Sequence, residues 1–371
     1  MTTTSRNFTL PRQAERLLVI ALCTLVVLHC EPSIAGDVAL DRTALALRVD
    51  ASSSTLNPTL WRSGAGVLVP GDRDLYWTSN DEVIFVRVEA GAADAPHRTY
   101  SISVWNVRTN EIRTVLDLGR AAGSICFSAG HLLVGSYSKE EGRRSYFGST
   151  RSLSPLPAGT KIDVASCRPR GQVPALPEWT KGRVIHRLER AEWGFLDFGD
   201  QQQILDNSPI KFYRVGAKPE EGIALPLRRR ETGHLFRYFE FADAHYVEST
   251  YWQMPRPKGV PYPVYWIHRD GQVETIAEIP FGPWRYAGSW TEPTRKGVVL
   301  ASTNFNTRNE RDVSHAGLYL VAGEKVTKLL STWVNMTAVS PNGCRIAFDH
   351  AEQTTRRGNR LVAFDICGVE G

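Results

Sequence analysis

The sequence predicts an all-β fold built from repeated units of similar design. Three observations support this prediction: short segments of alternating apolar and polar residues, turn residues between these segments, and one type of hairpin that recurs along the chain. Helical periodicity is limited to short pieces such as Ile185 to Trp193, for which we expect helical turns in loops. The 371 residues exceed the usual size of one domain, but all-β folds often reach this length as one unit.

The recurring hairpin has an aromatic-rich strand, a short polar turn and an alternating strand. It is clearest in SISVWNVRTNEIRTVLDL from Ser101, in PVYWIHRDGQVETIAEI from Pro263 and in GLYLVAGEKVTKLL from Gly317. The interval between the first two copies is three times the interval between the second and the third, so two further copies fit into it. Candidates for these copies are Tyr146–Pro155 and Lys211–Gly216. With a last copy that opens at Leu361, the sequence predicts six units of roughly 45–55 residues.

The closing stretch, Val339 to Gly368, shows the unit most clearly. In its turn, Ser340-Pro-Asn-Gly343, the proline sets φ for the first corner and the next two residues accept a positive φ. The alternation from Cys344 to Asp349 predicts a half-buried strand, and Leu361 to Ile366 predicts a second one. The pattern S-P-N-G-x-R-I-A-F followed by R-L-V-A-F-D-I-x-G resembles the repeat of TolB-like and WD40-like β-propellers, which usually has Asp in place of Asn342.

This resemblance implies a β-propeller, and the interval between the hairpins agrees with the size of propeller blades. The final unit ends soon after Ile366 and lacks an outermost strand. We therefore expect a six-bladed propeller in which an N-terminal strand from the region before Trp77, either Gly64–Val69 or Leu45–Val49, completes the last blade. The alternatives are seven blades or paired β-sandwiches.

The N-terminus predicts export. Three arginines precede the apolar run Leu17–Leu28, which has the length of a secretory signal core and is too short to span a bilayer comfortably. Small residues at Ser33-Ile34-Ala35 predict cleavage before Gly36. A lipid anchor at Cys30 is disfavoured because His29 replaces the small residue expected there. We expect a signal peptide over residues 1–35, a lead-in over 36–60 and a propeller over 61–371 without a transmembrane span, located in the periplasm or secreted.

Four cysteines remain after the signal peptide, an even number that suits disulfides in an oxidising compartment. Cys344 starts one strand of the closing unit and Cys367 ends another, so their ends lie close if the two strands are antiparallel neighbours. We expect a disulfide between them, which leaves Cys126 to pair with Cys167. The alternative is four buried free thiols.

Motifs for catalysis, metal binding and nucleotide binding are absent from the sequence. It contains no G-x-S-x-G, H-E-x-x-H, C-x-x-C or P-loop, and its histidines lack metal-ligand spacing. The formal charge of +5 is mild and long basic runs are absent, which argues against a nucleic-acid surface. We therefore expect no cofactor, no bound metal and no nucleic-acid partner.

One aromatic segment stands out as a candidate binding surface. Residues 245–268 contain six Tyr and Trp side chains around four prolines, which predicts a rigid loop between two strands. Aromatic rings on a rigid loop suit contacts with a protein, a peptide or a sugar. The candidate residues are Tyr251, Trp252, Tyr262 and Trp266. The alternative is that these rings pack inside the blades.

Three functions fit the sequence. The resemblance implies an exported, non-catalytic propeller that binds a protein or peptide partner in the cell envelope, and we expect it to be a monomer. An enzyme, a hydrolase or lyase with its site in the central funnel, is the first alternative. A carbohydrate-binding propeller is the second. A funnel lined by clustered His, Asp and Glu favours the enzyme, whereas a flat aromatic face favours a binding protein.

Overall fold

The computed structural model describes the chain from residue 48 to residue 367 in several stretches. They are 48–49, 60–62, 67–68, 75–89, 99–140, 142–200, 202–203, 208–228, 236–248, 262–279, 290–302, 317–331, 333–351 and 360–367. The predicted signal peptide and Cys30 lie outside these residues. Within them, no helix is both long enough and apolar enough to cross a membrane.

Strands make up most of the described residues. The first fourteen are β1 (Arg48–Val49), β2 (Leu60–Arg62), β3 (Val67–Leu68), β4 (Leu75–Trp77), β5 (Glu82–Glu89), β6 (Thr99–Asn106), β7 (Ile112–Gly119), β8 (Ala122–Ser128), β9 (His131–Ser138), β10 (Gly142–Gly148), β11 (Leu153–Pro155), β12 (Ile162–Asp163), β13 (Arg168–Pro169) and β14 (Ile185–Arg187). The others are β15 (Gly194–Asp197), β16 (Pro209–Arg214), β17 (Ile223–Arg228), β18 (Phe236–Phe239), β19 (Ala244–Glu248), β20 (Tyr262–Ile267), β21 (Val273–Ile279), β22 (Trp290–Thr294), β23 (Gly297–Ser302), β24 (Gly317–Ala322), β25 (Lys325–Ser331), β26 (Trp333–Val339), β27 (Arg345–Ala351) and β28 (Arg360–Asp365). Short 3-10 helices span Arg170–Gln172, Glu178–Thr180 and Pro219–Glu221.

These strands form antiparallel sheets that follow one another along the chain. The first sheet places β3 and β4 along β5, followed by β6 and β7, and the second contains β8 to β11. The third contains β14 to β17, the fourth β18 to β21, the fifth β22 to β25 with β1 on its outside, and the sixth β26 to β28 with β2 on its outside. A two-stranded sheet, β12 and β13, lies between the second and third in the chain. The protein is therefore all-β, with the four-stranded antiparallel sheets that are typical of propeller blades.

The recurring hairpins of the sequence are present in the structure. They form the third and fourth strands of the first five sheets: β6–β7, β10–β11, β16–β17, β20–β21 and β24–β25. The third strands begin at residues 99, 142, 209, 262, 317 and 360, so the interval varies more than the three clearest copies suggest. The prediction for Ile185–Trp193 is wrong in its first part, because Ile185–Arg187 is strand β14, paired with β15. The second part is a turn, in which the backbone N–H of Trp193 donates to Arg190 O at 2.9 Å.

An N-terminal strand pairs with the last strand of the chain. Leu60, Trp61 and Arg62 lie opposite Phe364, Ala363 and Val362. This strand comes from the region before Trp77 but from neither expected segment. Val67–Leu68 pairs instead with β5, and Arg48–Val49 pairs with β25. Both β3 and β4 pair with β5 in the first sheet.

Apolar clusters join most neighbouring sheets. Each cluster combines side chains of successive sheets, and one combines the sixth sheet with the first. The first and second sheets share Ile102, Val104, Ile125 and Val134, and the third and fourth share Leu196, Phe212, Val247 and Ile267. The fourth, fifth and sixth share Tyr246, Val264, Val299, Leu318, Phe348 and Phe364, and the sixth and first share Ala338, Ala363, Trp77 and Trp105. The hydrophobic effect thus favours contact of the sixth sheet with the first.

The junction between the second and third sheets is built differently. Residues 156–184, here called the wedge segment, connect β11 to β14 and contact both sheets. The Cys126–Cys167 disulfide links β8 to the wedge segment, and Trp179 of the wedge segment packs on Tyr213 of the third sheet with ring centroids 4.7 Å apart. Asp163 adds an ion pair of 2.9 Å to Arg187. Among the residues that the structure describes, the second and third sheets share no apolar cluster.

The closing turn holds several sheets together at one end. Gly343 takes the expected positive φ of +73°, and a Cβ there would lie 2.8 Å from the Phe241 ring in the fourth sheet. The backbone N–H of Asn342 donates to Asn80 Oδ1 of the first sheet at 2.9 Å. Arg295 Nε of the fifth sheet donates to Asn342 O at 2.6 Å. The turn that carries the family resemblance is therefore a contact point for three other sheets.

Both disulfides have the expected pairing. Cys344 bonds to Cys367 with a Cα–Cα distance of 5.1 Å, because β27 and β28 are antiparallel neighbours whose ends meet. Cys126 bonds to Cys167 across 41 residues, with a Cα–Cα distance of 5.4 Å. The first bridge lies within one sheet, and the second connects the second sheet to the wedge segment.

We predict that β2 stabilises the whole fold. A chain that starts at Ser63 lacks β2 and leaves the outer edge of β28 unpaired, whereas a chain that starts at Leu60 keeps the strand. The chain from Ser63 should melt several degrees lower, since 1 kcal/mol corresponds to roughly 2–4 °C or less in a protein of this size. Calorimetry of both chains checks this. Equal melting temperatures would show that β2 contributes nothing to stability.

Candidate functional site

Polar residues from five successive sheets come together where the first strands of these sheets lie. They are Tyr76 in β4, Ser128 at the end of β8, Glu189 just after β14, Arg237 in β18 and Glu292 in β22. We call these five residues the charged cluster. Arg237 forms an ion pair with Glu292, and Glu189 and Tyr76 help to raise the pKa of Arg237. Ser128 lowers the pKa of Glu189. Because more than half of the chain separates Tyr76 from Glu292, only the arrangement of the sheets brings them together.

Arg237 is the cation at the centre of the charged cluster. Its guanidinium forms an ion pair with Glu292, whose side chain is 6% exposed, while the side chain of Arg237 remains 30% exposed. Burial opposes the charge of Arg237, but Glu292 and Glu189 outweigh this effect and raise the pKa of the guanidinium. Arg237 therefore carries a permanent charge that solvent still reaches.

Glu292 is a carboxyl that titrates near neutrality. Burial first, and then the charges of Glu248 and Glu189, raise its pKa to about 7 against the opposing effect of Arg237. A buried carboxylate beside other carboxylates binds a proton more readily than a solvated one. At neutral pH the population of the protein is thus divided between a charged and a neutral Glu292.

Glu189 and Ser128 connect the charged cluster to the second sheet. Glu189 Oε2 accepts a hydrogen bond of 2.7 Å from the backbone N–H of Tyr238, and burial raises the pKa of its carboxyl. The Ser128 hydroxyl is close enough to lower this pKa. The Ser128 side chain is 2% exposed.

A series of hydrogen bonds lies beside Glu292 and joins the fourth sheet to the fifth. Thr291 Oγ1 donates to Glu248 Oε2 at 2.8 Å, and Tyr246 Oη lies 2.7 Å from Thr291 Oγ1. Since the Thr291 proton points to the carboxylate, Tyr246 is the donor in the second bond. All three residues are buried, so these hydrogen bonds hold Glu248 in place without solvent.

His245 is a buried histidine next to these residues. Its Nε2 accepts from the backbone N–H of Arg190 at 3.2 Å, and its ring lies edge-on to Trp193 with centroids 4.9 Å apart. Burial, followed by the charge of Arg190, lowers its pKa to about 3. The imidazole is therefore neutral at physiological pH, and its accepting nitrogen is engaged by the backbone.

Three carboxyl groups and two guanidinium groups interact electrostatically in and beside the charged cluster. Arg237 and Arg190 are the cations, and Glu189, Glu248 and Glu292 are the anions when all three are ionised. The described residues contain no group of three or more His, Cys, Asp or Glu side chains placed to hold a metal ion. The site is thus a largely buried cluster of three carboxyl and two guanidinium groups, in which the side chains of Arg237 and Arg190 are 30% and 25% exposed.

Among the aromatic residues chosen from the sequence, Trp266 has a described side chain, and it belongs to the core. Trp266 is 8% exposed and packs edge-on against Phe239 and Tyr246, with ring centroids 5.8 and 5.7 Å away. Tyr262 begins strand β20, while Tyr251 and Trp252 are outside the described residues. For Trp266 the packing alternative holds.

The sequence analysis missed the charged cluster. Its members come from five different sheets, with no motif or spacing that relates them. The one signal available was a single charged residue inside short aromatic or apolar strands, as for Arg237 in FRYF and Glu292 in WTEPT. A charged residue in such a strand indicates a buried partner, but it does not identify that partner.

Comparisons with known proteins concern the fold. No family model and no curated protein matches this chain. Among solved structures, the chain is similar to the β-propeller domain of a protease from Pyrococcus furiosus (12% identity, 77% of this chain and 80% of that one, TM-score 0.31). It is also similar to the Cps50 β-propeller of Myceliophteria thermophila (10%, 83% and 98%, 0.41) and to TolB from Acinetobacter baumannii (10%, 79% and 54%, 0.24). At these identities and TM-scores the likeness carries no argument about function.

We predict that Glu292 makes stability depend on pH. Its folded pKa of about 7 lies above its ordinary value of 4.5, so the folded protein binds the extra proton and loses stability as pH rises from about 4.5 to 7. The Glu292→Gln variant lacks this titration. The difference in free energy of unfolding between wild type and variant should fall by a few kcal/mol over this range, while His245 contributes equally to both proteins. Urea titrations at several pH values check this, and a constant difference would contradict it.

Proposed function

We propose that this protein is an exported, non-catalytic, six-bladed β-propeller that binds a protein or peptide partner in the cell envelope. Six consecutive antiparallel sheets of four or five strands, the apolar contact of the sixth sheet with the first, and the pairing of β2 with β28 support six blades closed by an N-terminal strand. The two disulfides and the sequence of the N-terminus support export.

The convergence of the charged cluster is the observation that carries the proposed binding function. A side chain of a partner that contacts Arg237 also lies close to residues of several other sheets, so one side chain of the ligand can make several contacts. The 30% exposure of Arg237 leaves such a contact open to solvent. A small number of convergent polar groups is a usual feature of the binding sites of folded proteins.

The partners of the titratable groups favour binding over catalysis. His245 is neutral, and its accepting nitrogen is bonded to backbone, so it lacks the free nitrogen of a general base. Glu248 accepts from Thr291, and Glu189 accepts from the backbone. Within the described part of the cluster, no serine or threonine hydroxyl is hydrogen-bonded to a histidine as a nucleophile would be.

Glu292 favours an enzyme as the second candidate function. A carboxyl with a pKa of about 7 suits general acid or base catalysis at neutral pH, so a hydrolase or lyase would use Glu292 for proton transfer. A carbohydrate-binding propeller is a further alternative. It would use Tyr251, Trp252 and Tyr262, since Trp266 lies in the core.

A peptide-display selection tests the proposed function. The mature chain from Gly36, with intact disulfides, is immobilised and used to select from a library of random linear peptides. We expect enriched peptides that bind wild type at least about tenfold more tightly than Glu292→Gln, the loss typical of one charge-assisted hydrogen bond. Glu274→Gln is the control, because Glu274 is an exposed carboxylate on β21.

Two results would contradict the proposal. One is a selection that enriches no peptide, or enriches peptides to which the Glu292→Gln variant binds as well as wild type does. The other is turnover of a glycoside or peptide substrate by wild type that the Glu292→Gln variant lacks and the Glu274→Gln variant keeps. That second result would establish the enzyme instead.

A further inference from the structure

We propose that one face of the second sheet binds an acidic segment of a partner protein. This face is formed by Ala122 and Ser124 of β8, Gly135 and Tyr137 of β9, and Arg143 of β10, and it is called the open face below. The inference goes beyond the proposed function, because it concerns a second surface, separate from the charged cluster.

The register of the second sheet places these five residues on one side. Ala122 lies opposite Tyr137, and Tyr137 lies opposite Arg143. In the next row Ser124 lies opposite Gly135. Successive side chains of a strand alternate between faces, and the apolar side chains of the other face pack against the first sheet. The open face therefore points away from the first sheet, to the side on which the third sheet follows.

The wedge segment is bonded to one end only of this side of the second sheet. Cys126 lies between Ser124 and Ser128 on β8 and carries the disulfide to the wedge segment. On the side of the disulfide where β8 begins, the residues of the open face are exposed, apart from the half-buried Gly135. Ser128 of the charged cluster lies on the opposite side, at the end of β8. The open face and the charged cluster are thus two distinct places in the fold.

Positive charge is concentrated in the part of the chain that forms the second sheet and the wedge segment. Residues 122–184 contain nine Lys and Arg and four Asp and Glu, a net charge of +5, whereas the rest of the chain has 35 of each sign. Charge of one sign on one part of a surface attracts a partner of the opposite sign. Five of the nine cations are exposed and form no ion pair within the described part of the chain: Lys139, Arg143, Arg151, Lys161 and Arg170.

Arg143 is the charge on the open face itself. The open face contains no acid, and the two carboxylates of the same hairpin, Glu140 and Glu141, belong to the turn between β9 and β10. A guanidinium binds a carboxylate through two parallel N–H bonds, so an acidic side chain of the partner gives Arg143 the ion pair that it lacks among the described residues.

The kind of cation favours a protein over a lipid surface as the partner. Six of the nine cations of residues 122–184 are arginines. Arginine is enriched and lysine is depleted in protein interfaces, whereas an anionic membrane attracts both alike.

Tyr137 supplies an apolar contact beside this charge. It is 55% exposed and is the one aromatic among the exposed large apolar side chains of the described residues. Its neighbours on the open face are small, and a Cβ on Gly135 would lie only 3.0 Å from Ser124 Oγ. The ring therefore stands beside a shallow surface that leaves room for a side chain of the partner. A tyrosine on a strand provides a large contact area and loses little conformational entropy. The segment that fits has an acidic residue next to an apolar one.

A peptide-display selection with elution by 1 M salt tests the inference. The immobilised mature chain from Gly36 should enrich peptides rich in Asp and Glu. These peptides should bind Arg143→Glu at least about tenfold more weakly than wild type, because a charge-assisted pair becomes a repulsion. Arg151→Glu is the matched control, with the same change of charge in the turn between β10 and β11, at the opposite end of the sheet. Both arginines are exposed, so we expect equal melting temperatures.

A second pair of variants tests the apolar contact. Tyr137→Ser should weaken the same peptides about threefold to tenfold, since an aromatic side chain at an interface contributes roughly 1 kcal/mol or more. Val164→Ser is the control, because Val164 is an exposed apolar residue of the wedge segment that lies outside the open face. Equal effects of the two substitutions on binding would contradict the role of Tyr137.

Three results would overturn the proposal. One is an equal effect of Arg143→Glu and Arg151→Glu on peptide binding. Another is a set of enriched peptides without an excess of Asp and Glu. The third is binding of phosphatidylglycerol vesicles that wild type shows and Arg143→Glu lacks, without enrichment of any acidic peptide. That third result would assign the open face to a membrane surface instead.

Failure of this proposal differs from failure of the proposed function. Acidic peptides on the open face should bind Glu292→Gln as tightly as wild type, since the charged cluster lies on the other side of the Cys126 disulfide. If the enriched peptides require Glu292 but not Arg143, binding at the charged cluster stands and the open face is wrong. If they require Arg143 but not Glu292, the open face stands and binding at the charged cluster is wrong.

Discussion

The position of the half-buried Arg237 among carboxylates from neighbouring sheets is the constraint on which the charged cluster depends. A guanidinium cannot lose its proton in a protein, so its removal from bulk water requires fixed negative partners. Glu292 comes from the fifth sheet and Glu189 from the third, on either side of Arg237 in the fourth. Their positions are therefore correlated.

The contacts between the sheets are of two physical kinds. Most neighbouring sheets meet through apolar clusters, which favour contact but tolerate small shifts because the hydrophobic effect is non-directional. The second and third sheets meet instead through the wedge segment, with a disulfide, an ion pair and the packing of Trp179 on Tyr213. These contacts are directional. The charged cluster lies next to this junction, because Ser128 and Glu189 belong to the two sheets that the wedge segment connects.

Much of the fold could be predicted from local patterns. Alternation, turn residues and a recurring hairpin identify the third and fourth strands of successive sheets, because these signals depend only on residues close in the chain. The disulfide pairing followed from the ends of two neighbouring strands. The need for an N-terminal strand was correct, but β2 lies between the two segments considered. A strand of two or three residues is too short to show an alternating pattern, so its sequence does not indicate the strand with which it pairs.

The candidate site could not be predicted, because its members are related only by the arrangement of the sheets. Arg237 and Glu292 each appear as one charged residue in a short strand, and Ser128 has no feature in the sequence that distinguishes it from other serines. The aromatic segment attracted attention by composition, yet Trp266 serves the core. Composition identifies what a segment can do chemically, and burial decides whether the side chain is available.

A double-mutant cycle between Arg237 and Glu292 tests the central claim most directly. It compares the free energies of unfolding of wild type, Arg237→Met, Glu292→Gln and the double variant at pH 8, where Glu292 is mostly ionised. A buried pair that joins the fourth and fifth sheets predicts a coupling energy of about 2 kcal/mol or more, since each single substitution leaves a charge without its partner. A coupling energy near zero, as for solvent-exposed pairs, would contradict the account.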